Sequence, residues 1–140
     1  MNIPSLPLES LPVEIRMLAW AIVLGIVQLL LAASASTAQR GGKWNVSARD
    51  GTAPPLSGVA ARLDRALRNF LETFGFFAAA ALAVVLSQRG DAQSALGAHL
   101  YFWSRLLYVP LYAAGVPVVR SLVWTVSMVG IALVLWPLFG

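Results

Sequence analysis

Arg62-Leu-Asp-Arg-Ala-Leu-Arg-Asn-Phe-Leu-Glu72 carries most of the polar chemistry of this chain, and it runs on into Phe74 to Leu86, a stretch without a single charge. At helical spacing Arg65, Arg68, Asn69 and Glu72 fall at i, i+3, i+4 and i+7, one face of a helix, with Arg62 one turn earlier. The uncharged stretch is too short to cross a hydrocarbon core of ~30 Å by itself. A helix that spans must therefore take in Arg68 to Glu72, which puts these side chains near or below the interface. Ionisable groups at that depth are costly and mark a site by default.

The composition agrees with a membrane setting. The chain has 140 residues, 59% hydrophobic and 11% charged, with a mean hydropathy of +0.75, where soluble domains average about 25% charged. These values indicate one polytopic membrane domain over residues 1–140. There is no cysteine, so the chain has no disulfide framework and no thiol of its own. The formal charge of +4 is local, because six of the ten basic residues lie between Arg40 and Arg68. The start lacks a basic n-region, and the first apolar run is expected to be a retained helix rather than a removed signal.

Four spans are expected, at about 13–37, 58–88, 92–114 and 118–139, as an all-α, left-handed, up-down-up-down four-helix membrane bundle. Met1 to Pro12, with three prolines, reads as a short irregular lead. In the first span Gln28 is the one strongly polar interior residue, a packing residue or a bond to a neighbouring helix. Thr37 to Gly58, with Gly41-Gly42 and Pro54-Pro55, reads as an irregular loop. The second helix, on the order of 45 Å long at ~1.5 Å per residue, must project or tilt. Gln88 to Asp91 is a tight turn. The third helix places Arg105, Tyr108 and Tyr112 at i, i+3 and i+7. Gly115 to Pro117 breaks the chain, and Arg120 lies in the first turns of the fourth helix.

The first loop is basic, which by the positive-inside rule puts the first and third loops in the cytoplasm and both termini outside. The polar residues of the last three helices then share one level, toward the cytoplasm. Four arginines, one Glu, one Asn and two Tyr form a net positive set suited to a small acidic ligand. The structural alternative is an ion pair of Arg68 or Arg105 with Glu72, and tyrosines in an interfacial belt. One Glu cannot neutralise four Arg, which favours a ligand. A lone His99 without cysteine argues against a metal site. The basic loop suits topology and lipid headgroups better than nucleic acid, and no phosphate-binding loop or dinucleotide fingerprint is present. The tryptophans, Trp44 and Trp136 among them, read as interface anchors.

The order Arg65-Ala66-Leu67-Arg68-Asn69-Phe70-Leu71-Glu72 at the start of a second membrane helix resembles the R-A-x-x-N-x-x-E signature of the MAPEG family, the membrane-associated proteins of eicosanoid and glutathione metabolism. Length, span number, the proline-bearing first loop and the Arg105, Tyr108, Tyr112 series extend the resemblance over most of the chain. Asn45 to Pro55 resembles the bacterial branch, and the whole is similar to microsomal glutathione transferases. The resemblance implies a homotrimer in the bilayer, with glutathione as co-substrate bound between protomers on the cytoplasmic side. Arg65, Arg68, Asn69 and Glu72 would hold the tripeptide, with Arg105, Tyr108, Tyr112 and Ser121 completing the pocket. Arg120, with Tyr108, would stabilise the glutathione thiolate against a small hydrophobic electrophile. The chain departs from the family pattern in two respects. Thr73 and Phe74 stand where a tyrosine often follows the Glu, and Trp124 stands where a tyrosine is expected one turn after Arg120. The expected activity is a glutathione transferase or peroxidase in detoxification; the alternative is a non-catalytic membrane scaffold that keeps the fold.

Overall fold

Proline and glycine set the limits of the helices. The computed structural model describes residues 6–140, so the first five residues of the N-terminal lead lie outside the described residues. After a short 3-10 turn at Leu8–Ser10, helix α1 (Val13–Arg40) starts behind Pro12 and stops at Gly41, whose φ of 88° suits glycine. Helix α3 (Gly58–Leu86) follows Pro54-Pro55, and α4 (Ala92–Ala113) opens on a capping box. There Ser94 N–H donates to Asp91 Oδ1 at 2.8 Å and Asp91 N–H donates to Ser94 Oγ at 2.9 Å. Helix α5 (Pro117–Leu135) has Pro at its first position and runs into a 3-10 turn at Trp136–Leu138. No strand is present among the described residues.

The first loop is more ordered than its breaker residues suggest. It contains one helical turn, α2 (Gly42–Val46), and α1 continues to residue 40 rather than 37. Gln39 closes the base of the loop on both sides: its Nε2 donates to Ser57 O and its Oε1 accepts from Ser57 N–H, each at 3.0 Å. Arg40 Nε donates to Pro54 O at 2.7 Å. These three bonds tie the end of α1 to the start of α3, which is why α1 gains a turn.

Successive long helices run antiparallel. Gly25 of α1 lies against the Phe70 ring of α3. Glu14, near the start of α1, accepts a short hydrogen bond from Ser94 at the start of α4. Arg62, near the start of α3, donates to Ala113 O at the end of α4 at 2.7 Å. Arg89, in the α3–α4 turn, donates to the carbonyls of Pro137, Leu138 and Gly140 beyond α5. The α2 loop and the α4–α5 turn therefore share one end, and the α3–α4 turn and the two chain ends share the other.

The core lies between these helices. Met17, Leu18, Ala21 and Leu24 of α1 meet Phe70, Phe77, Ala80, Ala81 and Val84 of α3, Ala98, Tyr101 and Phe102 of α4, and Ile131 and Val134 of α5. Phe77 and Tyr101 stack at 4.1 Å, and Tyr101 Oη shares a 3.1 Å hydrogen bond with Thr73 Oγ1. Helices α4 and α5 approach closely at two glycines. A Cβ on Gly97 would lie 2.5 Å from Gly130 O, and one on Gly130 would lie 2.7 Å from Gly97 O.

Three helices, Val13–Arg40, Gly58–Leu86 and Pro117–Leu138, are long and apolar enough to cross a membrane, as in an integral membrane protein. Helix α4 is not among them; it carries Gln93, Ser94, His99, Ser104 and Arg105. The outward faces hold Ile22, Val23, Ile26, Leu29 and Leu30 of α1 and Val118, Leu122, Val126 and Val129 of α5, all exposed. So much uncovered apolar surface is disfavoured in water and suits lipid.

Candidate functional site

The polar face of α3 forms one wall of a cleft of about 360 Å³, lined by Arg65, Arg68, Asn69 and Glu72 of α3, Tyr108 and Tyr112 of α4, and Arg120 of α5. Its size is within the ~300–1,000 Å³ range of small-molecule sites. The fold brings these residues together in two steps. Arg62 Nη1 caps Ala113 O, fixing the end of α4 against the start of α3. The turn through Gly115, at φ 75°, then sends α5 back with Arg120 in its first turns. Arg62 packs against that glycine.

Inside the cleft, Tyr112 is the hub. Its hydroxyl accepts from Arg65 Nε at 3.2 Å. The Arg120 guanidinium stands over its ring at 4.6 Å and that of Arg65 at 5.9 Å. Tyr108 meets Tyr112 at 5.4 Å between ring centroids. Because the Tyr112 oxygen accepts from Arg65, its own O–H remains a donor. Arg68 pairs with Asp64 at 2.7 Å, one turn back on α3, with 73% of its side chain exposed. That geometry gives an i,i+4 surface pair of the kind worth ~0–1 kcal/mol. Arg68 thus pairs with Asp64, and Glu72 makes no ion pair or hydrogen bond among the described residues. The cleft keeps Arg65, Arg120 and Glu72 for other partners.

Two of the expected site residues lie outside the lining. Arg105 is beneath the cleft, 1% exposed, with Nη1 donating to Asn69 Oδ1 at 2.8 Å. Its guanidinium lies over Tyr108 at 4.3 Å and Phe70 at 5.7 Å. Ser121 points away: its hydroxyl donates to Pro117 O within its own helix, in an outer groove with Val118, Leu122 and Thr125. The spacing of Arg105 from Tyr108 placed it on the polar face; the structure rotates it inward, toward Asn69.

A second polar cluster escaped the sequence reading. Glu14, near the N-terminus of α1, is 4% exposed at the N-terminus of α4, where it accepts from Ser94 Oγ. A helix N-terminus favours an anion, and Ser94 is the signal that could have found it. Among the described residues no group of three His, Asp or Glu is placed to hold a metal.

The arrangement is that of a membrane protein with a polar, mostly cationic cleft at one end of its helices. The MAPEG family model matches residues 17–140, and the chain belongs to the MAPEG family. No curated protein and no solved structure matches it.

Proposed function

We propose that this protein is a glutathione-dependent membrane transferase or peroxidase, acting as a homotrimer of four-crossing protomers on small hydrophobic electrophiles drawn from the bilayer. The observation that carries this reading is the convergence of Arg65, Arg68, Asn69, Glu72, Tyr108, Tyr112 and Arg120 on one cleft. Glutathione offers two carboxylates, two amides, an ammonium and a thiol. Arg65 suits one carboxylate and Arg68 the other, exchanging its weak exposed pair with Asp64 for the ligand, since guanidinium binds carboxylate through paired charge-assisted bonds. Glu72, free of a protein cation, suits the ammonium. Asn69 and the hydroxyl of Tyr112 suit the peptide groups.

Arg120 is assigned to the thiol. A thiol of ordinary pKa, about 8.5, is mostly protonated at neutral pH, and the thiolate is the nucleophile. A guanidinium beside it favours the charged form, with the proton released to water. In conjugation the thiolate forms a carbon–sulfur bond to the electrophile and the leaving group departs with the bonding pair. Tyr108, beside Tyr112, is the second group assigned to steadying negative charge.

Arg65, Arg68 and Glu72 are exposed on the side of a single protomer. Charged groups on a lipid-facing flank are disfavoured, so a neighbouring protomer is assigned the outer wall of the cleft. The basic first loop supports a cytoplasmic cleft end and periplasmic termini, and the likeness of Asn45 to Pro55 to bacterial members supports a bacterial inner membrane.

The test is equilibrium binding of glutathione to the purified protein in detergent, followed by conjugation to an aromatic halide. Saturable binding and enzyme-dependent conjugation are expected. A folded protein that binds no glutathione is instead a membrane scaffold with the same fold.

A further inference from the structure

Arg105 is the most deeply buried charge among the described residues. It is 1% exposed and does not line the cleft. Its Nε and Nη2 atoms are buried with no hydrogen-bond partner among the described residues. The one polar contact of its side chain is Nη1 to Asn69 Oδ1, at 2.8 Å. Burying a guanidinium costs several kcal/mol in rough terms, so its position asks for a reason beyond packing.

The chemistry of the contact supplies one. A guanidinium has five N–H donors and no acceptor, and it stays charged. An asparagine amide has one face that accepts and one that donates. Only the oxygen of Asn69 can turn toward Arg105; the flipped amide would set N–H against N–H. The same bond therefore turns the Asn69 Nδ2 hydrogens away from Arg105. Asn69 lines the cleft, and Nδ2 has no hydrogen-bond partner among the described residues. Without Arg105 the amide would be free to present either face.

We propose that Arg105 is a positioning residue: it locks the Asn69 amide with its N–H groups toward the cleft, so that this position reads an acceptor oxygen of the ligand and rejects a donor. The cleft then presents donors from Arg65, Asn69, Tyr112 and Arg120, and its one carboxylate is Glu72. The ligand it selects carries acceptor oxygens along one side and a single cationic donor at Glu72. The inference rests on the reading of glutathione as ligand and adds which group of the cleft meets its carbonyl or carboxylate oxygens.

A double-mutant cycle on glutathione binding tests it, with wild type, Arg105→Met, Asn69→Ala, the double variant and Arg105→Lys, each first checked for a monodisperse, helical protein. Asn69→Ala should lose about tenfold in affinity, the scale of one hydrogen bond involving a charged group. Arg105→Met should lose most of that, and the double variant should be no weaker than Asn69→Ala. Arg105→Lys, also a donor without an acceptor, should restore part of the loss. Losses that multiply in the double variant would overturn the lock. If Arg105→Met does not fold, Asn69→Asp decides: it keeps an oxygen toward Arg105 and puts a second oxygen in the cleft. The lock requires Asn69→Asp to bind more weakly than Asn69→Ala, and equal or tighter binding overturns it. A wild type that binds no glutathione refutes the proposed function instead, which separates the two failures.

Discussion

Replacing Gly97 by alanine should separate the two helices on which Arg120 depends. At Gly97 an added Cβ would meet Gly130 O at 2.5 Å, Leu133 Cβ at 2.8 Å and Val134 N at 2.8 Å. Ordinary contact begins at 3.4 Å, so the shortfall against Gly130 O approaches 1 Å. Two of the three neighbours are backbone atoms of α5, which cannot rotate aside as a side-chain tip can. The helix must shift as a body, and overpacking of this kind costs about 1–3 kcal/mol. The rigid backbone puts Gly97→Ala in the upper half of that range, about 2–3 kcal/mol, or roughly a thirty- to hundred-and-fiftyfold change in the folded ratio. Gly75→Ala is the control, because nothing lies within 4 Å of a Cβ there. It should be neutral or slightly stabilising, since alanine is the better helix former. Reversible unfolding in mixed micelles measures both. Equal stability of the two variants would refute the claim that α4 and α5 are held at glycine distance.

Three further outcomes follow from the cleft and its setting. Arg65→Leu or Glu72→Gln should weaken glutathione binding roughly ten- to a hundredfold, because each removes a charge-assisted contact made alike to thiol and thiolate forms; calorimetry on the folded variants checks this, and unchanged affinity would remove either residue from the site. A cysteine placed at Ser47, in a chain with none of its own, should resist an impermeant reagent added outside intact cells and react once they are opened; labelling from outside would invert the assigned topology. Chemical crosslinking or native mass spectrometry should give a trimer, and a stable monomer that still binds glutathione would dispose of the shared wall.

The polar face of α3 was readable because it breaks a simple rule. Arg65, Arg68, Asn69 and Glu72 recur at helical spacing inside a helix that must also span, and such residues need a common partner. Tyr108, Tyr112 and Arg120 were readable as a level rather than as contacts, from antiparallel helices counted from one side. The same counting could not distinguish a residue that faces a cleft from one that lies under it. Arg105 and Tyr108 are three positions apart, yet Arg105 faces Asn69 from beneath while Tyr108 lines the cleft. Ser121 beside Arg120 fails for a related reason: a neighbour in sequence is about 100° away around a helix. The Gly97 and Gly130 approach was invisible because it belongs to two helices at once, and neither glycine stands in a motif of its own. Glu14 stands at the end of the first span, where a charge needs no special partner. Its burial depends on the N-terminus of α4, which arrives about eighty positions later in the chain.

The central claim is that the cleft holds glutathione as its thiolate beside Arg120, and ultraviolet thiolate absorbance measures that directly. Wild-type protein titrated with glutathione at neutral pH should develop a saturable thiolate difference signal, stoichiometric with bound ligand. A guanidinium at close contact lowers a thiol pKa by about one to three units, and each unit is worth about 1.4 kcal/mol. Arg120→Leu should therefore lose most of the signal, and turnover with it, while affinity changes far less. A wild type that binds glutathione without any thiolate signal, or an Arg120→Leu variant that keeps the whole of it, would contradict the account.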